Sequence, residues 1–199
     1  MWVDCEMTGL DLRVDELVEV AVVVTDYALV PVDDGFTVVI APSAPALEQM
    51  GDFVREMHTA SGLLDELPAG VGLAEAEERV LAYIRRFVPD AGTAPRTRNT
   101  IGTDRAFLAK YMPRVDAHLH YRNVDVSSIK ELSRRWFPRV YFQAPAKNGG
   151  HRALADILES IRELDYYRRV AFAAEPGPSS DEARTVADQM VAKWAERIP

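Results

Sequence analysis

WVDCEMTGL, residues 2–10, decides the fold, because it places two carboxylates in an apolar run that favours a β-strand. Successive strand residues point to opposite faces, so Asp4 and Glu6 share one side. The apolar neighbours favour a central strand over an edge strand with solvated acids. Adjacent carboxylates resist burial unless a cation lies between them, and a divalent metal is the natural one. Thr8 and Gly9 predict a turn, which leaves both acids at the carboxyl edge of the sheet, where open α/β folds bind ligands.

Length, charge and cysteine content limit the class of protein. A chain of 199 residues with 48% hydrophobic content is typical of one soluble globular domain, and its single cysteine, Cys5, cannot form an internal disulfide. We find neither a secretory segment nor an apolar run near the ~20 residues that span a bilayer, which predicts a cytoplasmic protein with no membrane partner. The net charge of −8 argues against binding long nucleic acid, but not against a short anionic substrate.

The order of the predicted elements favours an α/β fold with a mixed sheet. After the first strand, residues 17–25 and 35–40 predict two more strands, which complete an antiparallel meander, and short strands are expected at 95–101 and 123–126. Helices are predicted over residues 46–57, 64–67, 73–88, 104–111, 128–136, 151–173 and 181–195, the fifth opened by a capping box at Ser128–Glu131. Residues 138–150 are predicted as a loop. The segment 176–180 predicts a linker between a domain of residues 1–175 and a helical tail within 176–199.

Three further residues are candidates for chemistry. Asp104 begins a predicted helix after a strand, where an acid commonly caps backbone amides. Asp156 lies among apolar neighbours, where an unpaired carboxylate is costly, which favours metal ligation. His151 precedes Asp156 by five positions, about 140° around a helix, so the two share a site only if His151 lies on the loop or the first turn. The alternative for His151 is an ordinary surface histidine beside glycines.

Together these segments resemble a known family. Asp4-x-Glu6, NTIGTD (99–104) and HRALAD (151–156) resemble the three motifs of the DEDDh 3′-to-5′ exonucleases. The strings WVDCEMTGL (2–10), YRNVDVS (121–127) and SIKEL (128–132) are similar to the oligoribonuclease family within that group. The resemblance runs from Trp2 to about Tyr167. It implies an RNase H-like α/β fold, a pair of Mg²⁺ or Mn²⁺ ions, a homodimer, and hydrolysis of very short RNA oligonucleotides, dinucleotides above all, to mononucleotides.

The resemblance also implies roles for single residues. It makes Asp4, Glu6 and Asp156 metal ligands, with Asp4 bridging two ions, and Asp104 a further ligand that binds directly or through water. It makes His151 the general base. The implied substrate-binding residues are Leu10, which wedges between the bases, His58, Thr100, Arg122 and Ser127 at the 5′ phosphate, and Tyr121, which reaches in from the partner subunit. Without the family, ordinary packing is the simpler interpretation of Leu10 and Tyr121.

One departure from the family pattern lies next to the acids. The family usually has glycine immediately before the asparagine of the second motif, whereas Arg98 precedes Asn99 here. An arginine at this point could pair with Asp104 or with a phosphate, or could disturb the site. Two alternative functions therefore stay open. A DEDDh exonuclease acting on longer strands is disfavoured by the negative charge, and a catalytically silent nucleotide-binding module is disfavoured by the presence of all five catalytic residue types.

Overall fold

The computed structural model describes residues 1–147 and 150–198. Its five strands form one sheet in the order β3-β2-β1-β4-β5. They are β1 (Trp2–Met7), β2 (Leu17–Val23), β3 (Phe36–Val39), β4 (Pro95–Arg98) and β5 (His120–Asp125). The first three strands pair antiparallel, whereas β4 is parallel to both β1 and β5. The predicted meander and mixed sheet are confirmed, and β1 is the central strand, as its apolar residues predicted.

Ten α-helices lie within the described part of the chain. They are α1 (Ala44–Glu48), α2 (Asp52–Ala60), α3 (Leu63–Glu66), α4 (Leu73–Phe87), α5 (Ile101–Tyr111), α6 (Pro113–His118), α7 (Val126–Trp136), α8 (Pro138–Phe142), α9 (Ala153–Ala171) and α10 (Ser180–Trp194). A short 3₁₀ helix, Leu67–Ala69, follows α3. None of the described helices combines the length and apolar character needed to cross a membrane.

Apolar cores lie on both faces of β1, and this arrangement positions the acids. Val3, Cys5 and Met7 point into the larger core, to which α4 and α5 also contribute. Trp2 points to the opposite face, which α9 covers. The strict alternation along the strand therefore puts Asp4 and Glu6 beneath α9.

Several predicted helices begin at the wrong residues. Helix α5, for example, begins at Ile101 and not at Asp104. The helix predicted over residues 46–57 is two helices, because Gly51 has an extended backbone and is the N-cap residue of α2. As a result His58 lies on the last turn of α2 rather than in a turn between helices. The capping box at Ser128 is also wrong. Helix α7 starts two residues earlier, because the Asp125 side chain accepts a hydrogen bond from the Ser127 amide at 2.9 Å.

Two short helices occur where the sequence predicted none. Helices α6 and α8 both carry proline at their first position, where the missing N–H costs nothing, so Pro113 and Pro138 start helices here instead of ending them. Helix α8 replaces part of the loop predicted over residues 138–150, of which Asn148 and Gly149 lie outside the described residues. Helix α10 forms nearly where predicted, and all its residues are exposed.

Candidate active site

Three carboxylates meet at the carboxyl end of β1. One oxygen from each of Asp4, Glu6 and Asp156 lies within 4.8 Å of the others. Asp4 and Glu6 come from one face of β1, and Asp156 comes from the first turn of α9, which packs on that face. Asp4 is fully buried, and Glu6 is only 7% exposed. Carboxylate oxygens held this close are arranged to share a cation.

The electrostatics of these carboxylates fit a divalent metal. Asp4 Oδ2 is buried and accepts no hydrogen bond from any residue in the described ranges, which is costly for a charged oxygen. Burial, together with the charges of Asp156 and Glu19, raises the pKa of Glu6 to about 8. Burial also raises the pKa of Asp156. A hard divalent cation would offset all three effects, because such ions prefer carboxylate oxygens.

Asp104 reaches the site from α5, the helix that follows β4, and β4 lies beside β1 in the sheet. It lies in the first turn of α5, is fully buried, and accepts a hydrogen bond from the Cys5 amide at 3.1 Å. That amide is available because β1 and β4 pair only at Trp2 and Thr97 and then separate. Burial raises the pKa of Asp104, although the neighbouring Arg98 guanidinium opposes the rise. Arg98 contacts both Asp104 and Asp4 and so links the two carboxylates.

His151 lies on the loop before α9, as sharing a site with Asp156 requires. Its backbone is left-handed, with φ of 46°, and α9 begins two residues later. The His151 side chain lines a cleft of about 430 Å³ whose wall also includes Glu6, Asp156 and Leu10. The exposed imidazole thus borders the carboxylates without belonging to their cluster.

A buried acid that the sequence analysis missed anchors this loop. Glu19 on β2 is the cross-strand partner of Glu6 and is 1% exposed. Its Oε1 accepts hydrogen bonds from Arg152 Nε at 3.1 Å and Nη2 at 2.8 Å, and its Oε2 accepts one from the Ala153 amide at 2.9 Å. The hydrogen bonds that Arg152 donates to Glu66 and to Glu19 raise the pKa of the guanidinium. Together with the Ala153 bond, they fix the residues next to His151. A lone glutamate inside the apolar run LVEVAVVVT (17–25) was the available signal.

Asn99 ties the end of β4 to α9. Its Nδ2 donates to Ser160 Oγ at 2.8 Å and to Glu163 Oε2 at 3.1 Å. Glu163 is itself buried and pairs with Lys130 at 3.2 Å and Lys147 at 3.1 Å. Ser160 and Glu163 carry no recognisable motif in the sequence, so only the structure reveals that they support the second motif.

Two of the predicted phosphate-binding residues lie side by side. The Thr100 amide donates to Ser127 Oγ at 2.8 Å, and the two hydroxyl oxygens are 3.2 Å apart. Thr100 lines the cleft and has a left-handed backbone, with φ of 56°. Leu10 also lines the cleft and is 74% exposed, which suits contact with a ligand better than core packing.

The other three predicted substrate residues are not among the described residues that line the cleft. Tyr121 and Arg122 are exposed on the edge strand β5. His58 is fully buried, and its Nε2 lies 2.9 Å from the Met7 carbonyl, which requires Nε2 to donate. Burial lowers the pKa of His58. A neutral His58 held this way presents an unprotonated Nδ1, so its predicted contact with a phosphate requires protonation or a ring movement.

Comparison with known proteins places the sequence among nucleases. Residues 1–164 match the RNase_T family model, described as Exonuclease. A protein of Leifsonia xyli subsp. xyli named oligoribonuclease is 68% identical over 198 residues, which is 100% of this chain and 96% of that protein. A second protein of that name, from Streptomyces griseus, is 57% identical over 98% of this chain and 97% of its own length.

Solved structures support the fold independently of sequence. Exonuclease I of E. coli, in a complex with a dT13 oligonucleotide, superposes with a TM-score of 0.63 at 12% identity, over 84% of this chain and 40% of that one. Exonuclease I of Methylocaldum szegediense gives a TM-score of 0.60 at 18% identity, over 85% of this chain and 40% of that one. The RNase H-like α/β fold that the sequence predicted is confirmed.

Proposed function

The chain belongs to the exonuclease family and groups there with the oligoribonucleases, 3′-to-5′ exoribonucleases that act on short RNA, and we propose that dinucleotides are its preferred substrates. The products would be nucleoside 5′-monophosphates. The observation that carries the proposal is the approach of Asp4, Glu6 and Asp156 within 4.8 Å, with Glu6 and Asp156 lining a cleft.

Asp4, Glu6, Asp104 and Asp156 would hold the metal ions, which we take to be Mg²⁺ or Mn²⁺. Bound there, divalent ions would supply Lewis-acid stabilisation of the negative charge that develops at the phosphodiester during hydrolysis. His151 would take the proton from the attacking water, since it borders the carboxylates on a loop that leaves its ring exposed. Glu19 and Arg152 hold that loop in place.

We further propose that Leu10 separates the two bases and that Thr100 and Ser127 surround the terminal phosphate. Arg122 and Tyr121 lie on an edge strand outside the cleft wall. We therefore propose that they act across a homodimer, with Tyr121 of the partner subunit completing the site.

We assign the activity to residues 1–175 and treat 176–199 as a tail. We place the enzyme in the cytoplasm, where its single buried thiol needs no disulfide partner.

Hydrolysis of a 5′-labelled RNA dinucleotide tests the proposal. We expect release of labelled mononucleotide with Mg²⁺ or Mn²⁺, none with chelator, and almost none from Asp156→Asn. Asp165→Asn is the matched control, because Asp165 lies farther along α9 and pairs with Arg169 on the surface. Cleavage of long strands with no activity on dinucleotides would favour the longer-strand exonuclease. Binding without cleavage would favour the silent module.

A further inference from the structure

Arg98 places a guanidinium between two buried carboxylates. Its Nε contacts Asp4 Oδ1, and its Nη1 contacts Asp104 Oδ2. Both aspartate side chains are 0% exposed, whereas the Arg98 side chain is 20% exposed and lines the cleft. A planar fork that bonds two acids at once neutralises their mutual repulsion, which is the role of a bound cation.

The backbone explains why the side chain fits there. Strands β1 and β4 separate after Trp2 and Thr97, so Arg98 at the end of β4 faces a gap between the strand ends. The Cys5 amide fixes Asp104 on the far side of that gap. Within the described ranges, neither Glu6 nor Asp156 forms an ion pair, so Arg98 engages only one half of the acid cluster.

We propose that Arg98 is a built-in counter-cation that competes with one of the two metal ions. The ion held by Asp4, Glu6 and Asp156 binds without displacing a side chain. The ion held between Asp4 and Asp104 binds only after the Arg98 guanidinium has left that position. The two ions therefore bind with unequal affinity, and Arg98 sets the weaker one. This inference rests on the proposed metal-dependent function.

Isothermal titration calorimetry of the full chain with Mn²⁺ measures the affinities of both metal sites without catalysis. We expect two classes of site in the wild-type protein. Arg98→Gln should tighten the weaker class at least tenfold and leave the tighter class within twofold. In Arg98→Lys the affinity of the weaker class should lie between those of the wild type and Arg98→Gln. An ammonium keeps the charge but lacks the planar guanidinium that reaches both carboxylates. Arg79→Gln is the control, since it removes the same charge from an exposed pair with Glu75.

Thermal unfolding gives a second readout. Without divalent ions, Arg98→Gln should melt at a lower temperature than the wild type, because Asp4 and Asp104 lose their counter-ion. Mn²⁺ should raise the Tm of Arg98→Gln by more than it raises the Tm of the wild type. Should Arg98→Gln fail to fold, Arg98→Lys alone tests the order of affinities. Unchanged or weaker Mn²⁺ binding in the Arg98 variants would overturn the inference, and would indicate that Arg98 supports the metal or the phosphate. Absence of any Mn²⁺ binding in both proteins would instead overturn the proposed function.

Discussion

At the scale of single residues, His151 is distinguished by its position rather than by its type. Among the described histidines it is the one that lines the acid cleft, whereas His58 is buried and bonded to a carbonyl. We expect His151→Ala to lower kcat on a dinucleotide by about 10²–10⁴-fold at neutral pH, the usual contribution of a positioned general base. Substrate affinity should change little. A merely structural histidine would give the reverse result, with lower stability and near-normal turnover of the folded fraction.

The raised pKa of Glu6 makes stability depend on pH. Its usual value of 4.5 rises to about 8 in the folded protein, so folding favours the protonated form. This contribution is fully present below about pH 4.5 and is lost as pH rises through about 8. In chelator, we expect the Tm of the wild type to fall relative to Glu6→Gln between pH 5 and pH 8.

Added Mn²⁺ should reverse this fall in the wild-type Tm, and its effect should be larger at high pH than at low pH. At pH 8 a cation replaces the lost proton, so Mn²⁺ should raise the Tm of the wild type more than that of Glu6→Gln. At pH 5, where protons occupy the carboxyls, the effect of Mn²⁺ should be smaller. A wild-type Tm that runs parallel to that of Glu6→Gln across this range would show that Glu6 titrates normally.

At the scale of secondary structure elements, Glu19 connects β2 to the start of α9. Glu19→Gln keeps the shape of the side chain but removes the charge that pairs with Arg152. Charge-assisted hydrogen bonds contribute roughly 1.5–3 kcal/mol, so the loop that carries His151 should become less well positioned. We expect kcat to fall about tenfold with little change in KM, since small displacements of a catalytic group are costly.

Glu66→Gln is the matched control for Glu19→Gln. Glu66 pairs with the same arginine at 2.7 Å, but it is half-exposed, and exposed pairs contribute little. Its variant should retain nearly full turnover. Equal losses in the two variants would mean that Arg152, and not the buried acid, fixes the loop.

Comparison of the predicted and observed elements shows which features the sequence alone could predict. Residue alternation in β1 and the apolar stripe of α4 are local patterns, and both predicted the observed structure. The prolines at 113 and 138 were ambiguous, because proline both ends a helix and favours its first turn. Within the site, the resemblance to the three family motifs supplied the four metal-binding candidates. The support from Glu19 and Ser160 depends on contacts between distant segments, which no local pattern encodes.

At the scale of the whole molecule, the side of the sheet that ends in β5 carries several exposed large hydrophobic side chains. Strand β5 is the edge of the sheet, and α7 and α8 follow it in the chain and contact each other. The exposed side chains include Trp136 at 65% and Phe142 at 75%. Open edges and large apolar patches commonly mark interfaces between subunits.

We expect the protein to sediment as a homodimer through this side. Trp136→Glu should shift it towards monomer and lower turnover, because Tyr121 and Arg122 on the adjoining edge strand act across the dimer in the proposed site. Phe53→Glu is the control, as Phe53 is 78% exposed on α2, away from β5. A fully active wild-type monomer at assay concentration would contradict the prediction.

Charge limits the length of RNA that the molecule can prefer. A protein with a net charge of −8 gains little from each additional phosphate. A protein that neutralises Z phosphates of a single strand shows a slope of log affinity against log salt of about −0.7Z. We therefore expect a shallow slope for a dinucleotide, since few phosphates are contacted.

The same reasoning predicts that kcat/KM falls steeply from two-mers to seven-mers. If Thr100, Ser127 and, acting across the dimer, Arg122 surround the 5′ phosphate, a third nucleotide must pass through that cap and lose its charge-assisted hydrogen bonds. Losing two such bonds, at roughly 1.5–3 kcal/mol each, weakens binding by about two orders of magnitude or more. Arg122→Ala should therefore harm dinucleotides most and flatten the dependence on length, whereas Arg79→Ala should not. Equal kcat/KM for two-mers and seven-mers in the wild type, or a steep salt slope for the two-mer, would favour an exonuclease of longer strands.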